Sequence, residues 1–85
     1  MYKIEIHKEA LKFLHSLPEG LALNILEKIK ALENDPYPPG VIKVKGREET
    51  TFRMRIGKYR VLYFIDKPAS AIYIMKIDKR GTVYD

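Results

Sequence analysis

The stretch TFRMRIGKYRVLYFI, residues 51–65, limits the fold more than any other part of the chain. Apolar and polar side chains alternate on either side of Gly57-Lys58, the pattern of two antiparallel strands joined by a two-residue loop. Glycine at the first loop position suits a type II′ turn, which needs a positive φ there. The loop sets the register: Ile56 opposite Tyr59, Arg55 opposite Arg60, Met54 opposite Val61, Arg53 opposite Leu62, Phe52 opposite Tyr63. Residues directly opposite share a face. One face therefore carries Phe52, Met54, Ile56, Tyr59, Val61 and Tyr63 and is predicted to be core. The other carries Arg53, Arg55, Arg60 and Leu62.

Three guanidiniums thus converge on one patch, and Arg55 faces Arg60. Like charges directly opposite destabilise a sheet, and no acid sits among them to neutralise the cluster. Solubility alone is served by threonine or by a Lys–Glu pair. Such a break in a local rule without compensation tends to mark a functional site. The bland alternative is a solvated face of splayed side chains, each contributing little. The functional reading is a seat for one or two phosphates, because a guanidinium is planar, always charged and rich in donors.

The rest of the chain changes period twice. YKIEIH (2–7) alternates and reads as a half-buried strand with Tyr2, Ile4 and Ile6 inward. KEALKFLHSLP (8–18) places Ala10, Phe13, Leu14 and Leu17 on one helical stripe, and Pro18 ends that helix. Residues 19–36 resume the helical period through Leu21, Ala22, Ile25, Ile29 and Leu32, and Asn34-Asp35-Pro36 stops it. The two helices form an αα-hairpin. YPPG (37–40) is a connection, VIKVKG (41–46) a weak strand, and REET (47–50) a polar loop. After the hairpin, DKPAS (66–70) is a turn and AIYIMKID (71–78) is apolar on both faces, as a central strand is. The predicted class is α+β: an N-terminal strand, then an αα-hairpin packed on one face of a mostly antiparallel sheet. With 85 residues the chain is expected to be a single domain spanning 1–85.

Composition narrows the chemistry. The chain has no cysteine, which removes disulfides, thiolate nucleophiles and Cys-based zinc sites. Neither His7 nor His15 has a partner at metal-ligand spacing, and HExxH, P-loop, GxGxxG and GxSxG patterns are absent. No metal and no cofactor are expected. No apolar run approaches the roughly 20 residues that span a bilayer, and the N-terminus lacks an apolar signal segment. The expectation is a cytoplasmic protein without a membrane partner. The net charge is +5, and all five arginines follow residue 46, which favours an anionic partner. Lys43, Lys45 and Lys76 are candidate extensions of the arginine patch. Arg80 and Tyr84 follow the last strand, where an aromatic beside phosphates can stack on a base.

IEIHKEALKFLHSLP, FRMRIGKYRVLYFI and MKIDKRGTVYD together resemble the RelE branch of the RelE/ParE superfamily, the toxins of type II toxin–antitoxin pairs. The resemblance covers the whole chain and implies a RelE-like microbial RNase fold. It implies a ribosome-dependent mRNA interferase that cuts mRNA in the A site without metal, by attack of a 2′-OH on the adjacent phosphorus. It maps catalytic roles onto Arg53, Arg55, Arg60, Arg80 and Tyr84, and names an acidic RelB-like antitoxin, the ribosome and mRNA as partners. Two further readings stay open: a ParE-like inhibitor of DNA gyrase without nuclease activity, and a non-catalytic RNA- or ribosome-binding domain. One position departs from the family pattern. The family often carries lysine where Arg55 stands, as a proposed general base, and arginine does not deprotonate in proteins.

Overall fold

The computed structural model describes residues 1–44 and 51–79. Chain order is β1 (Lys3–Ile6), α1 (Lys8–His15), α2 (Glu19–Ala31), β2 (Ile42–Lys43), β3 (Thr51–Ile56), β4 (Tyr59–Asp66) and β5 (Ala71–Lys79). The strands form one five-stranded sheet in the order β1-β5-β4-β3-β2. Neighbours are antiparallel except β1, which joins β5 in parallel. The α+β architecture expected from the sequence is the one observed, with both helices contributing to a core on one side of the sheet.

Local chemistry accounts for the helix limits. His7 starts α1 by accepting the Glu9 N–H on its Nδ1 at 3.1 Å, so this histidine serves as a cap. α1 stops at His15, three residues before the proline. There Ser16 donates its hydroxyl to the Phe13 carbonyl at 2.6 Å, and the Ser16 and Leu17 N–H groups bond three residues back. α2 ends at Ala31, short of the Asn-Asp-Pro signal, because Leu32 and Glu33 also tighten into bonds three residues back.

Leu14, Ile25, Ile29 and Leu32 from the helices meet Val61, Tyr63, Ile65, Ile72 and Ile74 from the sheet, all essentially sealed from water. Each such aliphatic side chain contributes roughly 1.5–3 kcal/mol by its burial. Tyr2, Ile4 and Ile6 pack against this core, as their alternation predicts.

The β3–β4 register is the one read from the sequence, pair for pair, from Phe52↔Tyr63 to Ile56↔Tyr59. Gly57 has φ +58° while Lys58 is not in the positive-φ region, which is the requirement of a type II′ turn. The β4–β5 pairing is less regular. It contains a bulge: Tyr63 faces Ile74 but Leu62 faces Lys76, leaving Met75 as the extra residue. The bulge advances the register by one, which exchanges the two faces of β5 beyond it. Ile77 thereby turns into the core, and Lys76 and Asp78 turn to the opposite side.

Candidate nucleic-acid interface

The sheet face away from the helices carries the charged groups in two rungs. One runs Arg55–Arg60–Asp78 across β3, β4 and β5. The next runs Arg53–Leu62–Lys76 across the same strands. Arg53, Arg55, Arg60 and Lys76 therefore share one surface, with one carboxylate between them among the described residues.

That carboxylate corrects the expectation that the arginines stand without an acid. Arg60 donates Nε–H to Asp78 Oδ1 at 3.0 Å and an Nη2 hydrogen to Oδ2 at 3.2 Å. This is the two-pronged fork that a guanidinium and a carboxylate make best. The pair is only partly open to water, with side-chain exposures of 15% and 23%. Lys76 Nζ lies 3.8 Å from Asp78 Oδ2, so the same carboxylate bridges two cations. The hairpin alone does not contain this acid. Alternation in MKIDK places Lys76 and Asp78 on one side of a strand, but the bulge decides that the side is that of the arginines.

Arg53 and Arg55 make no ion pair with a described residue. Arg55 is exposed and Arg53 half-buried. Lys43 lies elsewhere. It pairs with Phe52, on the helix side of the sheet, so it does not extend the arginine face. Ile42, opposite Arg53, occupies that position on β2. Lys45, Arg80 and Tyr84 lie outside the described residues. Among the described residues no group of three His, Asp or Glu side chains is disposed to hold a metal ion, and no helix is long and apolar enough to cross a membrane.

Beneath the face, Tyr63 anchors the edge of the site. Its hydroxyl donates to the Pro36 carbonyl at 2.7 Å. Burial pushes this phenol well above its ordinary pKa, with the Asp35 carboxylate and Tyr37 adding to the shift, so it stays a neutral donor. Tyr37 in turn meets Phe52 edge-on, with ring centroids 5.3 Å apart.

Over residues 4–84 the chain matches the family described as ParE toxin of type II toxin-antitoxin system, parDE. The chain belongs to the RelE/ParE superfamily of toxins. Within this superfamily it is 36% identical to the curated toxin RelE1 of Methanocaldococcus jannaschii, over 98% of this chain and 94% of that protein. Among solved structures, it is similar to one chain of the archaeal RelE–RelB complex from Pyrococcus horikoshii. The TM-score is 0.84 at 36% identity, covering 96% of this chain and 98% of the other. A chain of the RelBE2 toxin–antitoxin complex of Mycobacterium tuberculosis gives a TM-score of 0.80 at 27% identity, covering 94% and 92%. In this chain the cation rungs lie on the face of the sheet that the helices leave open.

Proposed function

We propose that this RelE-type toxin is a ribosome-dependent endoribonuclease that cleaves mRNA in the A site. The observation that carries the reading is the convergence of Arg53, Arg55 and Arg60 on one face, with Arg60 held in a carboxylate fork. In the proposed reaction the 2′-oxygen of one nucleotide bonds to the adjacent phosphorus and the P–O5′ bond breaks. The products are a 2′,3′-cyclic phosphate and a 5′-hydroxyl, the proton lost at O2′ being balanced by one gained at O5′. Negative charge grows on the non-bridging oxygens, and fixed cations aimed at them are the largest catalytic term available.

In this scheme Arg60 and Arg53 clamp the phosphate, and Asp78 fixes the plane of the Arg60 guanidinium. Arg55 supplies charge and geometry only, since it does not take a proton. Arg80 stabilises the leaving 5′-oxygen and Tyr84 stacks on a flanking base; both assignments rest on the family resemblance. Lys76 and Lys45 contact neighbouring phosphates, and the proton acceptor is a lysine such as Lys76, Tyr84, water or a group of the ribosomal RNA. The reaction is proposed to need no metal, again by resemblance. An acidic RelB-like antitoxin is the proposed partner, supported by the RelE–RelB complexes of its relatives and by the basic face. The proposed site of action is the cytoplasm, where ribosomes translate.

The test is to programme purified ribosomes with mRNA, add the protein and map cuts by primer extension. Cuts at A-site codons are expected, and their absence would sink the nuclease reading. The match to the ParE family keeps gyrase inhibition as the second reading. Loss of gyrase supercoiling at stoichiometric toxin, with intact mRNA, would establish it instead.

A further inference from the structure

A groove of about 590 Å³ opens at the edge of β3, round the corner from the arginine face. It exists because β2 is short. β2 covers β3 only as far as Arg53. Continuing that register would bring Gly40 opposite Arg55. Gly40, however, has φ +89°, and Pro39 has no N–H to give, so the chain leaves the edge there. Thr51 accepts the Val44 N–H, which turns the main chain of residue 51 toward β2. With a period of two, the N–H and C=O of Arg55 point the same way, into the groove.

The other walls are equally defined. Asn24 and Lys28 stand four residues apart on one ridge of α2. Met54 and Ile56, each 8% exposed, form the floor. Pro38 and Pro39 close the third side, held by the Tyr63–Pro36 hydrogen bond and the Tyr37–Phe52 contact. Arg55 belongs to both places: it faces Arg60 on the sheet and lines the groove.

We propose that this groove is a second phosphate seat for the single-stranded RNA substrate. The strand leaves the arginine face, bends round the β3 edge at Arg55, and lays its next backbone phosphate between Arg55 and Lys28. Asn24 and the Arg55 N–H donate to it, while the Arg55 carbonyl suits a ribose 2′-hydroxyl. The inference rests on the nuclease reading and deepens it by giving the substrate a path.

The chemistry of the lining selects this occupant. Among the described residues two cations line the groove, neither paired with a described acid, and no described carboxylate lines it. An acidic peptide adding a strand to β3 is the rival. Strand addition draws its affinity from a run of main-chain hydrogen bonds, and here only Arg55 offers its main chain before Gly57 turns the hairpin. The proposal also accounts for arginine at position 55. Having no proton to accept, it acts as a fork reaching phosphates on both sides of an edge.

A chemical double-mutant cycle tests it. mRNA carrying one uncharged methylphosphonate, walked along the nucleotides beside the cut, is presented on programmed ribosomes to the wild-type toxin, Lys28→Ala and Lys28→Arg. Lys28 is exposed on a helix, so these variants fold. Lys28→Ala is expected to raise the half-saturating toxin concentration about threefold to tenfold, far more than it changes the maximal rate, and Lys28→Arg should recover the wild-type half-saturation. At one backbone position the methylphosphonate should weaken the wild type but add nothing to Lys28→Ala. Penalties that add at every position overturn the groove. So does a Lys28→Ala that loosens an acidic protein partner while leaving RNA parameters alone. If the wild type cuts no mRNA, the nuclease reading fails first and the groove proposal falls with it. Cutting that ignores Lys28 removes the groove proposal alone.

Discussion

On the helix side of β4, Val61, Tyr63 and Ile65 are sealed from water, while between them Arg60, Leu62 and Phe64 stay partly open. These residues alternate along one strand and answer to different forces. The helix side is held by apolar area, which is non-directional and tolerates any well-filling side chain. The open side is held by directed charge: an Arg–Asp fork, a bridging lysine and two arginines without an acidic partner among the described residues. The first arrangement confers stability. The second gives up some of it, through Arg55 against Arg60, to concentrate positive potential where an anion can sit.

The comparison breaks most severely at the bulge. The bulge turns residue 77 into the core, so Ile77→Lys places a charge among apolar side chains. An unpaired buried charge weighs heavily against a total stability of about 5–15 kcal/mol, so this variant should fail to fold, read as loss of the cooperative urea transition. Deleting Met75 removes only the extra residue and keeps Lys76 opposite Leu62 and Asp78 opposite Arg60, so that variant should fold with the same faces. An Ile77→Lys variant that unfolds at the wild-type midpoint would show that the bulge does not set the faces. On the helix side, Ile65→Ala should cost about 2–5 kcal/mol in urea unfolding. Arg53→Ala, across the sheet, should stay within about 0.5 kcal/mol.

On the open side the loss should appear in chemistry rather than stability. Arg60→Ala is expected to slow mRNA cleavage on programmed ribosomes at least about 10²-fold, or roughly 2.7 kcal/mol of transition-state stabilisation. Retention of the wild-type rate would remove Arg60 from the phosphate clamp.

Tyr63 joins the two sides and gives a smaller, pH-dependent effect. Tyr63→Phe leaves the Pro36 carbonyl without its donor, at about 1 kcal/mol near neutral pH. The folded phenol has a raised pKa, so its contribution is whole below about pH 10, where the unfolded tyrosine is still protonated. It declines above that, by about 1.4 kcal/mol per pH unit, because only the unfolded chain releases the proton. Urea midpoints between pH 8 and pH 11 should therefore fall more steeply for the wild type than for Tyr63→Phe; parallel curves would contradict the assignment. The smallest effect is expected at Lys43. It lies on the helix side of the edge strand, so Lys43→Ala should leave both stability and cleavage nearly unchanged, whereas Lys76→Ala should weaken RNA binding.

The limits of the sequence are local and physical. Helix ends were legible only to within a turn, since Ser16 and Leu32 tighten their helices in ways that periodicity does not signal. Asn24 and Lys28 carried no motif, because their relation to Arg55 depends on how far β2 runs along the sheet edge. Arg80 and Tyr84 keep only the roles that family resemblance gives them.

The β3–β4 hairpin was determined by the sequence itself. A two-residue loop with glycine first admits one register, and that register alone gathers Arg53, Arg55 and Arg60 on a common face. Asp78 was decided by the tertiary structure. AIYIMKID is apolar enough to lie either way up, and local pattern does not say where a strand will slip by one residue. The slip occurs at Met75 because packing favours Ile72, Ile74 and Ile77 together in the core, and the fork on Arg60 is its consequence on the other side.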